Sequence, residues 1–322
     1  MLNCIQNRYL ESRCYFGDGS QRAGVYSRTS VELDDGVGER GTDSSNRGGG
    51  TVGSERTMST NEYEAAILDL DGTVYLGDTL IPGVDGAISR LRTEVGPVRF
   101  LTNKTIDRRR EYSEKLRRIG IDVDPSHVVS AGWVTAQYVS ETYPEAEAFV
   151  VGEPPLLEEF EDAGVETTTE TPGDLVVASM DRTFDYDDLD IALRTLEPER
   201  DVPFLATHPD RTCPTESGAI PDAAGMIGAI EGVTGRTVDT VLGKPSRRMV
   251  ETVLDDVGVD PTACLMVGDR IETDVLMGER AGMTTVLVLS GVTDRRTIRR
   301  ADTDPDYVLD SLAEIDQLLD GR

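Results

Sequence analysis

Lysine is almost missing from this sequence of 322 residues. It occurs at Lys104, Lys115 and Lys244 alone, and Asp and Glu outnumber Lys and Arg by 60 to 32, for a formal net charge of −28. A chain this acidic repels the phosphates of nucleic acids and the surfaces of anionic membranes, so we expect neither as a partner. Because the acidic residues are spread along the chain rather than gathered in one tail, we interpret them as an adaptation to a salt-rich cytoplasm.

Paired cysteines and long apolar runs are also lacking. Cys4, Cys14, Cys213 and Cys264 show no spacing typical of a metal or redox motif, so we expect reduced thiols. No apolar run reaches about 18 residues, which excludes a membrane-spanning helix of the usual length. The first residues contain no apolar stretch of signal-peptide length, and we therefore expect a cytoplasmic protein.

The N-terminal segment, residues 1–57, differs from the rest of the chain. It is rich in Gly, Ser, Arg and Asp and has no sustained strand or helix periodicity. Such a segment buries too little apolar surface to offset its ordering entropy, so we predict a disordered extension. Met58 stands directly before the first clear strand pattern, and the natural chain starting at Met58 is the open alternative.

Strand and helix patterns alternate from there on, as expected for an α/β fold with a parallel sheet. We expect residues 58–143 and 238–322 to form the core and residues 144–237 to form an inserted α/β unit, because the motifs suited to chemistry lie almost entirely outside the insertion. The predicted core strands are 65–70, 98–101, 263–267 and 285–289, and the predicted strands of the insertion are 148–151, 175–179 and 203–206.

Asp69 and Asp71 close the first predicted strand in the segment Asp69-Leu70-Asp71-Gly72-Thr73. Side chains two residues apart on a strand share a face, and open α/β sheets bind ligands at the carboxyl ends of their strands. Two adjacent carboxylates repel each other unless a cation or a proton lies between them, and Mg²⁺ prefers such oxygen ligands. Taken alone, the segment fits a catalytic metal site, an ordinary turn or a calcium loop.

Polar residues occupy similar positions elsewhere in the chain. Thr102 and Asn103 follow the strand at 98–101, where they offer a hydroxyl and an amide at the same sheet edge or cap the next helix. Lys244 precedes a predicted helix at 246–257, and a helix N-terminus favours bound phosphate. In a chain nearly free of lysine, that position indicates a compact charge required for function.

Two more carboxylates complete the set. Asp269 follows the apolar strand at 263–267, which places it at the same edge as Asp69. Asp274 lies one to two helical turns further along the chain. It fits either a site residue or a solvated acid at the start of a helix.

These four motifs, in this order and spacing, resemble those of the haloacid dehalogenase (HAD) superfamily, and the resemblance covers residues 62–322. It implies a Rossmann-like parallel-sheet core with an α/β cap domain inserted after the second motif. Finer details resemble the NagD-type, 4-nitrophenylphosphatase-like branch. The segments that carry this finer resemblance are Asp71-Gly72-Thr73-Val74-Tyr75, Leu101-Thr102-Asn103, Ala206-Thr207-His208-Pro209-Asp210, Leu242-Gly243-Lys244-Pro245 and Ser290-Gly291-Val292-Thr293.

The resemblance implies a phosphatase with an aspartate nucleophile. Asp69 would attack phosphorus to form an aspartyl-phosphate, and Asp71 would protonate the leaving alcohol and then take a proton from the hydrolytic water. The phosphoryl oxygens would be bound by Thr102, Asn103 and Lys244.

The same resemblance implies a Mg²⁺ ion as cofactor. Its ligands would be Asp69, the backbone carbonyl of Asp71, and Asp269, and the ion would neutralise charge that otherwise keeps carboxylate and phosphate apart. Asp274 would orient Lys244 or the ligands around the metal rather than bind the ion directly.

Two residues depart from the pattern of that branch. Members commonly carry a smaller or neutral residue at the position of Lys104 and asparagine at the position of His208. The first change alters the charge beside the phosphate, and the second puts the substrate contacts of the cap in question. His208 and Asp210 are the candidates for recognising the leaving group, with a structural turn as the equal alternative for His208.

The expected substrate is a small phosphorylated metabolite, such as a nucleoside monophosphate, a sugar phosphate, glycerol phosphate or phosphoglycolate. Dehalogenation and non-catalytic binding of a phosphorylated ligand are the alternatives. The acid/base at Asp71 and the metal carboxylate at Asp269 favour phosphate chemistry. Whether the chain forms a homo-oligomer stays open.

Overall fold

The computed structural model describes residues 63–215 and 218–320. The predicted extension at 1–57 and the alternative start at Met58 lie outside these ranges. Within them, none of the helices combines the length and the apolar character that crossing a bilayer requires.

The strands of this part of the chain form two larger sheets and two short hairpins. The strands are β1 (Ala65–Asp69), β2 (Tyr75–Leu76), β3 (Thr79–Leu80), β4 (Val98–Thr102), β5 (Val128–Ser130), β6 (Ala148–Val151), β7 (Thr167–Thr168), β8 (Leu175–Ala178), β9 (Phe204–Ala206), β10 (Thr212–Thr215), β11 (Gly218–Pro221), β12 (Thr240–Val241), β13 (Cys264–Gly268), β14 (Thr284–Val288) and β15 (Tyr307–Leu309). The antiparallel hairpins are β2–β3 and β10–β11.

The core sheet has the order β15-β14-β13-β1-β4-β5, and each neighbouring pair is parallel. β1 lies in its interior, and all of its residues are buried, as expected for a strand covered on both faces. From β1 the chain adds β4 and β5 on one side, and it later adds β13, β14 and β15 on the other. The strand order therefore reverses beside β1, and ligands of open α/β sheets bind at the carboxyl ends of strands at such a point.

Helices connect the strands. They are α1 (Val84–Glu94), α2 (Arg109–Arg118), α3 (Ala131–Thr142), α4 (Pro154–Asp162), α5 (Tyr186–Thr195), α6 (Ala223–Thr234), α7 (Arg247–Val257), α8 (Leu276–Ala281), α9 (Arg295–Ile298) and α10 (Asp316–Leu319). Short 3₁₀ turns span Pro125–His127, Pro261–Ala263 and Leu312–Glu314, and one turn of π-helix spans Ile271–Val275.

Both faces of the core sheet are covered by helices, and β1 shows how its side chains divide between them. Ala66 and Leu68 belong to an apolar cluster with buried residues of α1 and α2. Ala65 and Ile67 belong to a second cluster with buried residues of α3, α7 and α8. This alternation is the period-two pattern of a strand, and it makes the core a three-layer α/β/α arrangement.

The second sheet, called the cap sheet below, has the order β12-β9-β8-β6-β7 and is also parallel throughout. Apolar residues of α3 and α4 cover one face, and those of α5 and α6 cover the other. The sheet includes β12 at Thr240–Val241, so it continues beyond residue 237, the predicted end of the insertion.

Helix α3 packs between the two sheets. Ala131 and Val134 lie in the cluster beneath the core sheet, whereas Ala136 and Val139 lie in the cluster beneath the cap sheet. A helix with apolar residues on two sides loses buried area at both when it moves. α3 therefore joins the cap to the core through packing, and not through the chain connection alone.

The predicted α/β class and parallel core sheet are confirmed. The short strands β5, β7, β12 and β15 and both hairpins are not predicted, because none of these segments shows a clear apolar run or period. A π-helical turn, Ile271–Val275, precedes α8, which begins only at Leu276, so Asp274 lies in this turn and not one to two turns along an α-helix.

Candidate active site

Polar side chains meet at the carboxyl edge of the core sheet. Asp69 is the last residue of β1 and Thr102 the last of β4, while Asp269 directly follows β13. Asn103 follows Thr102, and all four side chains are buried. Because the parallel ladders keep these strand ends in register, side chains far apart in sequence share one small region.

Lys244 lies at the centre of this region and is only 2% exposed. Its Nζ donates to Oδ1 of Asp69 and, at 2.7 Å, to Oδ1 of Asp274. Burial opposes the charge of Lys244, but the two carboxylates outweigh it and raise the pKa of the ammonium group. Asn103 fixes the backbone of Lys244, since its Oδ1 accepts from the N–H at 2.8 Å and its Nδ2 donates to the carbonyl at 3.2 Å.

Asp274 reaches Lys244 from the π-helical turn Ile271–Val275. Its Oδ2 accepts from the N–H of Arg270 at 3.1 Å, so each carboxylate oxygen has a donor. Single π-helical turns occur often at functional sites, because the extra residue redirects side chains. Asp274 is thereby buried against Lys244 and not solvated at a helix start.

The carboxylate of Asp269 fits tightly against backbone. Its Oδ2 accepts from the N–H of Val292 at 2.6 Å. A Cβ at Gly72 or at Gly291 would overlap this carboxylate, and Gly72 also has a φ of 89°. Glycine at these two positions is therefore what allows the carboxylate to lie where it does.

Burial makes the negative charges of this region costly. It raises the pKa of Asp69 well above its ordinary value, Lys244 works against that shift, and Asp274 and Asp269 add to it. Burial, followed by the charge of Asp274, raises the pKa of Asp269 to about 7. Carboxylates in such surroundings remain ionised when a cation lies among them.

The donor set suits Mg²⁺. One carboxylate oxygen from each of Asp69, Asp269 and Asp274 lies within 4.8 Å of the others. Oδ2 of Asp69 is buried and makes no hydrogen bond among the described residues, so a cation could bind this oxygen without displacing a protein donor. Because these side chains offer oxygen ligands alone, they fit a hard divalent cation.

Asp71 is held beside this group by a lysine. Nζ of Lys104 donates to Oδ1 of Asp71 at 2.6 Å, and the hydroxyl of Tyr75 donates to Oδ2 at 3.4 Å. The backbone N–H of Lys104 donates to Oγ1 of Thr102 at 3.1 Å. Burial opposes the charge of Lys104, but Asp71 outweighs it and raises the pKa of the lysine.

A small cavity of about 30 Å³ lies over these groups. That volume holds one or two water-sized groups. The cavity is closed on one side by the core and on the other by the cap. Its lining consists of Asp69, Asp71, Thr102, Asn103, Lys104, Asp210, Cys213, Pro214, Asp222, Lys244, Arg270 and Thr273.

Two contacts hold the cap side of the cavity to the core. Nδ2 of Asn103 donates to the carboxylate of Asp210 at 3.3 and 3.4 Å. The guanidinium of Arg270 donates to the carbonyl oxygen of Thr212, in β10, at 3.0 Å. Asn103 therefore contacts Lys244 and the cap at once.

Two protein-family models match this chain. A haloacid dehalogenase-like hydrolase model matches residues 66–166, and a HAD-hydrolase-like model matches residues 241–315. The chain is 37% identical over 253 residues to the sugar-phosphatase AraL of Bacillus subtilis, covering 78% of this chain and 92% of that protein. The chain belongs to the haloacid dehalogenase-like hydrolases.

Two further similar proteins support the predicted 4-nitrophenylphosphatase-like branch. Glycerol-3-phosphate phosphatase of Gallus gallus is 32% identical over 283 residues, covering 78% of this chain and 90% of its own. The crystal structure of 4-nitrophenylphosphatase from Thermotoga maritima superposes with a TM-score of 0.74 at 36% identity, covering 80% of this chain and 97% of that one. The predicted family and its 4-nitrophenylphosphatase-like branch are confirmed.

The site residues predicted from sequence lie close together, with one exception. The cavity is lined by Asp69, Asp71, Thr102, Asn103, Asp210 and Lys244. Asp269 and Asp274 lie within ligand distance of Asp69. His208 is the exception, because it is buried behind Asp210 and does not line the cavity.

Several lining residues are not among the predicted site residues. Lys104 could have been selected from the sequence, since lysine occurs at only three positions in this chain. Arg270 directly follows Asp269 and had a positional signal. Cys213 and Asp222 had none, because only the fold of the cap brings them to the cavity.

Proposed function

We propose that this protein is a Mg²⁺-dependent phosphomonoesterase that hydrolyses a small sugar or polyol phosphate through an aspartyl-phosphate on Asp69. The observation that supports it best is the buried ammonium of Lys244, bonded to Asp69 and Asp274 at the edge of a cavity that Asp71 also lines. AraL is named a sugar-phosphatase and the Gallus gallus relative a glycerol-3-phosphate phosphatase, which supports a polyhydroxylated leaving group.

The first chemical step forms a bond between a carboxylate oxygen of Asp69 and phosphorus. The bond from phosphorus to the leaving oxygen breaks, and Asp71 in its protonated form gives that oxygen its proton. Lys104 holds Asp71 next to the cavity at 2.6 Å. In the second step Asp71 takes a proton from water, whose oxygen bonds to phosphorus, and the bond to Asp69 breaks.

The other lining groups bind the phosphoryl oxygens. Thr102, Asn103 and Lys244 supply a hydroxyl, an amide and an ammonium group that are already in place before substrate binds. Preorganised donors of this kind stabilise charge without reorganising during the reaction. Asp69, Asp269 and the carbonyl of Asp71 would hold a Mg²⁺ ion, with Asp274 orienting Lys244, and the ion would neutralise charge between the carboxylate and the phosphate.

Substrate entry requires the cap to move. The cavity has room for about two water-sized groups, which is less than a sugar phosphate occupies. The contacts from Asn103 to Asp210 and from Arg270 to Thr212 join the core to the cap beside the cavity, so these are the bonds that movement of the cap would break. Closure of the cap after binding excludes water from the phosphoryl group.

Removal of divalent cations is expected to abolish phosphate release. The full-length protein is stripped with EDTA and assayed against a panel of sugar and polyol phosphates, with and without excess Mg²⁺, at high KCl. We expect no release without the ion and full recovery when Mg²⁺ returns, because the buried carboxylates need a cation to accept a phosphate. Binding without turnover in Mg²⁺ would identify a phosphate-ligand sensor, and halide release from a haloacid would identify a dehalogenase.

We further propose that the protein works in a salt-rich cytoplasm. The net charge of −28 makes the folded chain repel itself. Raising KCl from about 0.1 M to about 1 M shortens the screening length from about 10 Å to about 3 Å. We therefore expect the urea midpoint of unfolding to rise with KCl, as followed by circular dichroism. A midpoint that stays constant or falls would contradict this proposal.

A further inference from the structure

The cap contains a buried histidine between two carboxylates. The side chain of His208 is 1% exposed, its Nδ1 lies 3.6 Å from Oδ2 of Asp210, and its Nε2 lies 3.6 Å from Oδ1 of Asp222. One ligand atom from each of the three residues lies within 4.8 Å of the others. None of the three belongs to the magnesium centre at Asp69 and Asp269.

Both ring nitrogens of His208 lack a hydrogen-bond partner among the described residues. Burying a polar group without a partner costs free energy, and buried side-chain nitrogens in folded proteins nearly always have one. A protonated ring would gain charge attraction from both carboxylates, but at 3.6 Å neither N–H forms a hydrogen bond. The ring therefore lies in a polar site that protein atoms leave incomplete.

Backbone hydrogen bonds hold the two carboxylates around the ring. The N–H of Ala224 donates to the carbonyl of Asp210 at 3.0 Å, and the N–H of Asp222 donates to the carbonyl of Arg211 at 3.1 Å. Oδ1 of Asp222 also accepts from the N–H of Ala223 at 2.8 Å, at the start of α6. The backbone of Asp210 and Asp222 and the carboxylate of Asp222 are thus held by the chain itself, which lowers the entropy lost on binding a ligand.

We propose that His208, Asp210 and Asp222 form a second cation site, which takes a transition-metal dication of the Zn²⁺ class. One imidazole nitrogen and two carboxylates suit such an ion, whereas Mg²⁺ prefers oxygen ligands alone. Two ligands at about 2.1 Å from a tetrahedral zinc lie about 3.4 Å apart. One ring nitrogen of His208 and one oxygen each of Asp210 and Asp222 lie within 4.8 Å of one another, so side-chain movements of about 1 Å bring one nitrogen and two oxygens to that spacing.

This site opens onto the catalytic cavity. Asp210 and Asp222 line that cavity, and His208 lies behind them. With three protein ligands, a zinc-class ion keeps one position free for water or for an oxygen of a ligand. The ion would also hold Asp210 in the orientation in which it accepts from Asn103, and so stabilise the closed cap.

The test is zinc binding by the full-length protein without any substrate, so it is independent of the proposed phosphatase activity. Metal is removed with EDTA, excess Mg²⁺ is added to fill the magnesium centre, and Zn²⁺ is titrated by calorimetry. The chain has two histidines, so proton–nitrogen NMR of the imidazole rings reads each one separately. We expect one equivalent of Zn²⁺ to shift the ring nitrogens of His208 and to leave those of His127 unchanged.

Three variants assign the bound ion. His208→Asn, of similar size, and Asp222→Asn are expected to weaken zinc binding more than about 100-fold, since even residues that only support metal ligands contribute 10- to 100-fold. Asp269→Asn, which changes the magnesium centre, is expected to bind zinc like the unchanged protein. Zinc binding that survives His208→Asn, binding lost in Asp269→Asn, or a titration that leaves His208 unshifted would each overturn the proposal.

Discussion

Replacing Asp69 by asparagine is expected to lower phosphate release from p-nitrophenyl phosphate by more than about 10,000-fold, an effect of the size found when a covalent nucleophile is removed. Asparagine has nearly the same shape and keeps an oxygen that can accept from Nζ of Lys244, so the fold should persist. Its amide does not attack phosphorus. Steady-state rates at high KCl with Mg²⁺ give the result, and circular dichroism checks the fold.

The matched control for this change is Asp78→Asn. Asp78 lies between β2 and β3 with its side chain 82% exposed, and it forms an ion pair with Lys115 at 3.5 Å. The Asp78→Asn substitution makes the same chemical change outside the cavity, and we expect this variant to have a rate close to that of the unchanged protein. An Asp69→Asn protein that turns over at a comparable rate would remove Asp69 as the nucleophile.

Lys244→Met is expected to damage both activity and stability. Removing the ammonium leaves Asp69 and Asp274 buried without their shared partner. Breaking a buried ion pair at one side costs about 3–5 kcal/mol. Loss of one donor to the phosphoryl group costs about 100- to 1,000-fold in rate. Urea unfolding measures the first effect, and kcat/KM measures the second.

Lys115→Met is the matched control for Lys244→Met. It shows whether the effect depends on the position of the lysine or follows from the loss of any lysine. Nζ of Lys115 lies 4.0 Å from the centre of the Tyr75 ring and pairs with the exposed Asp78. An exposed pair and a cation–π contact of this kind contribute about 1 kcal/mol together. If Lys244→Met were no more costly than Lys115→Met, the ammonium of Lys244 would not be the partner that stabilises the buried carboxylates.

The distribution of lysine is itself informative about this molecule. Lys104 and Lys244 both line the cavity, and Lys115 packs on Tyr75, whose hydroxyl contacts Asp71. Arginine carries nearly all the other positive charge of the chain. A compact ammonium fits between carboxylates in a small buried space, where the larger planar guanidinium does not. The rarity of lysine therefore marks the site within the sequence.

Some contacts had no signal that sequence reasoning can detect. No motif includes Asp222, and for His208 the resemblance predicts recognition of the leaving group or a structural turn, not a position between two carboxylates. Their approach depends on the packing of α6 against the cap sheet and on backbone bonds between loops. The pairing of Asn103 with Asp210 spans 107 positions of the chain. The periodicity of a single strand or helix cannot predict a contact between residues so far apart in sequence.

By itself, the sequence determined the α/β class, the parallel core and the motif residues Asp69, Thr102 and Asp269 at its edge. The reason is that side-chain periodicity locates each strand end, and a parallel sheet brings all such ends to one side. Only the tertiary structure decided which cap residues face them, how closely the cavity is shut, and that His208 lies between two carboxylates. Those outcomes depend on how α3 packs between two sheets, and packing of that kind is a property of the assembled chain rather than of any segment.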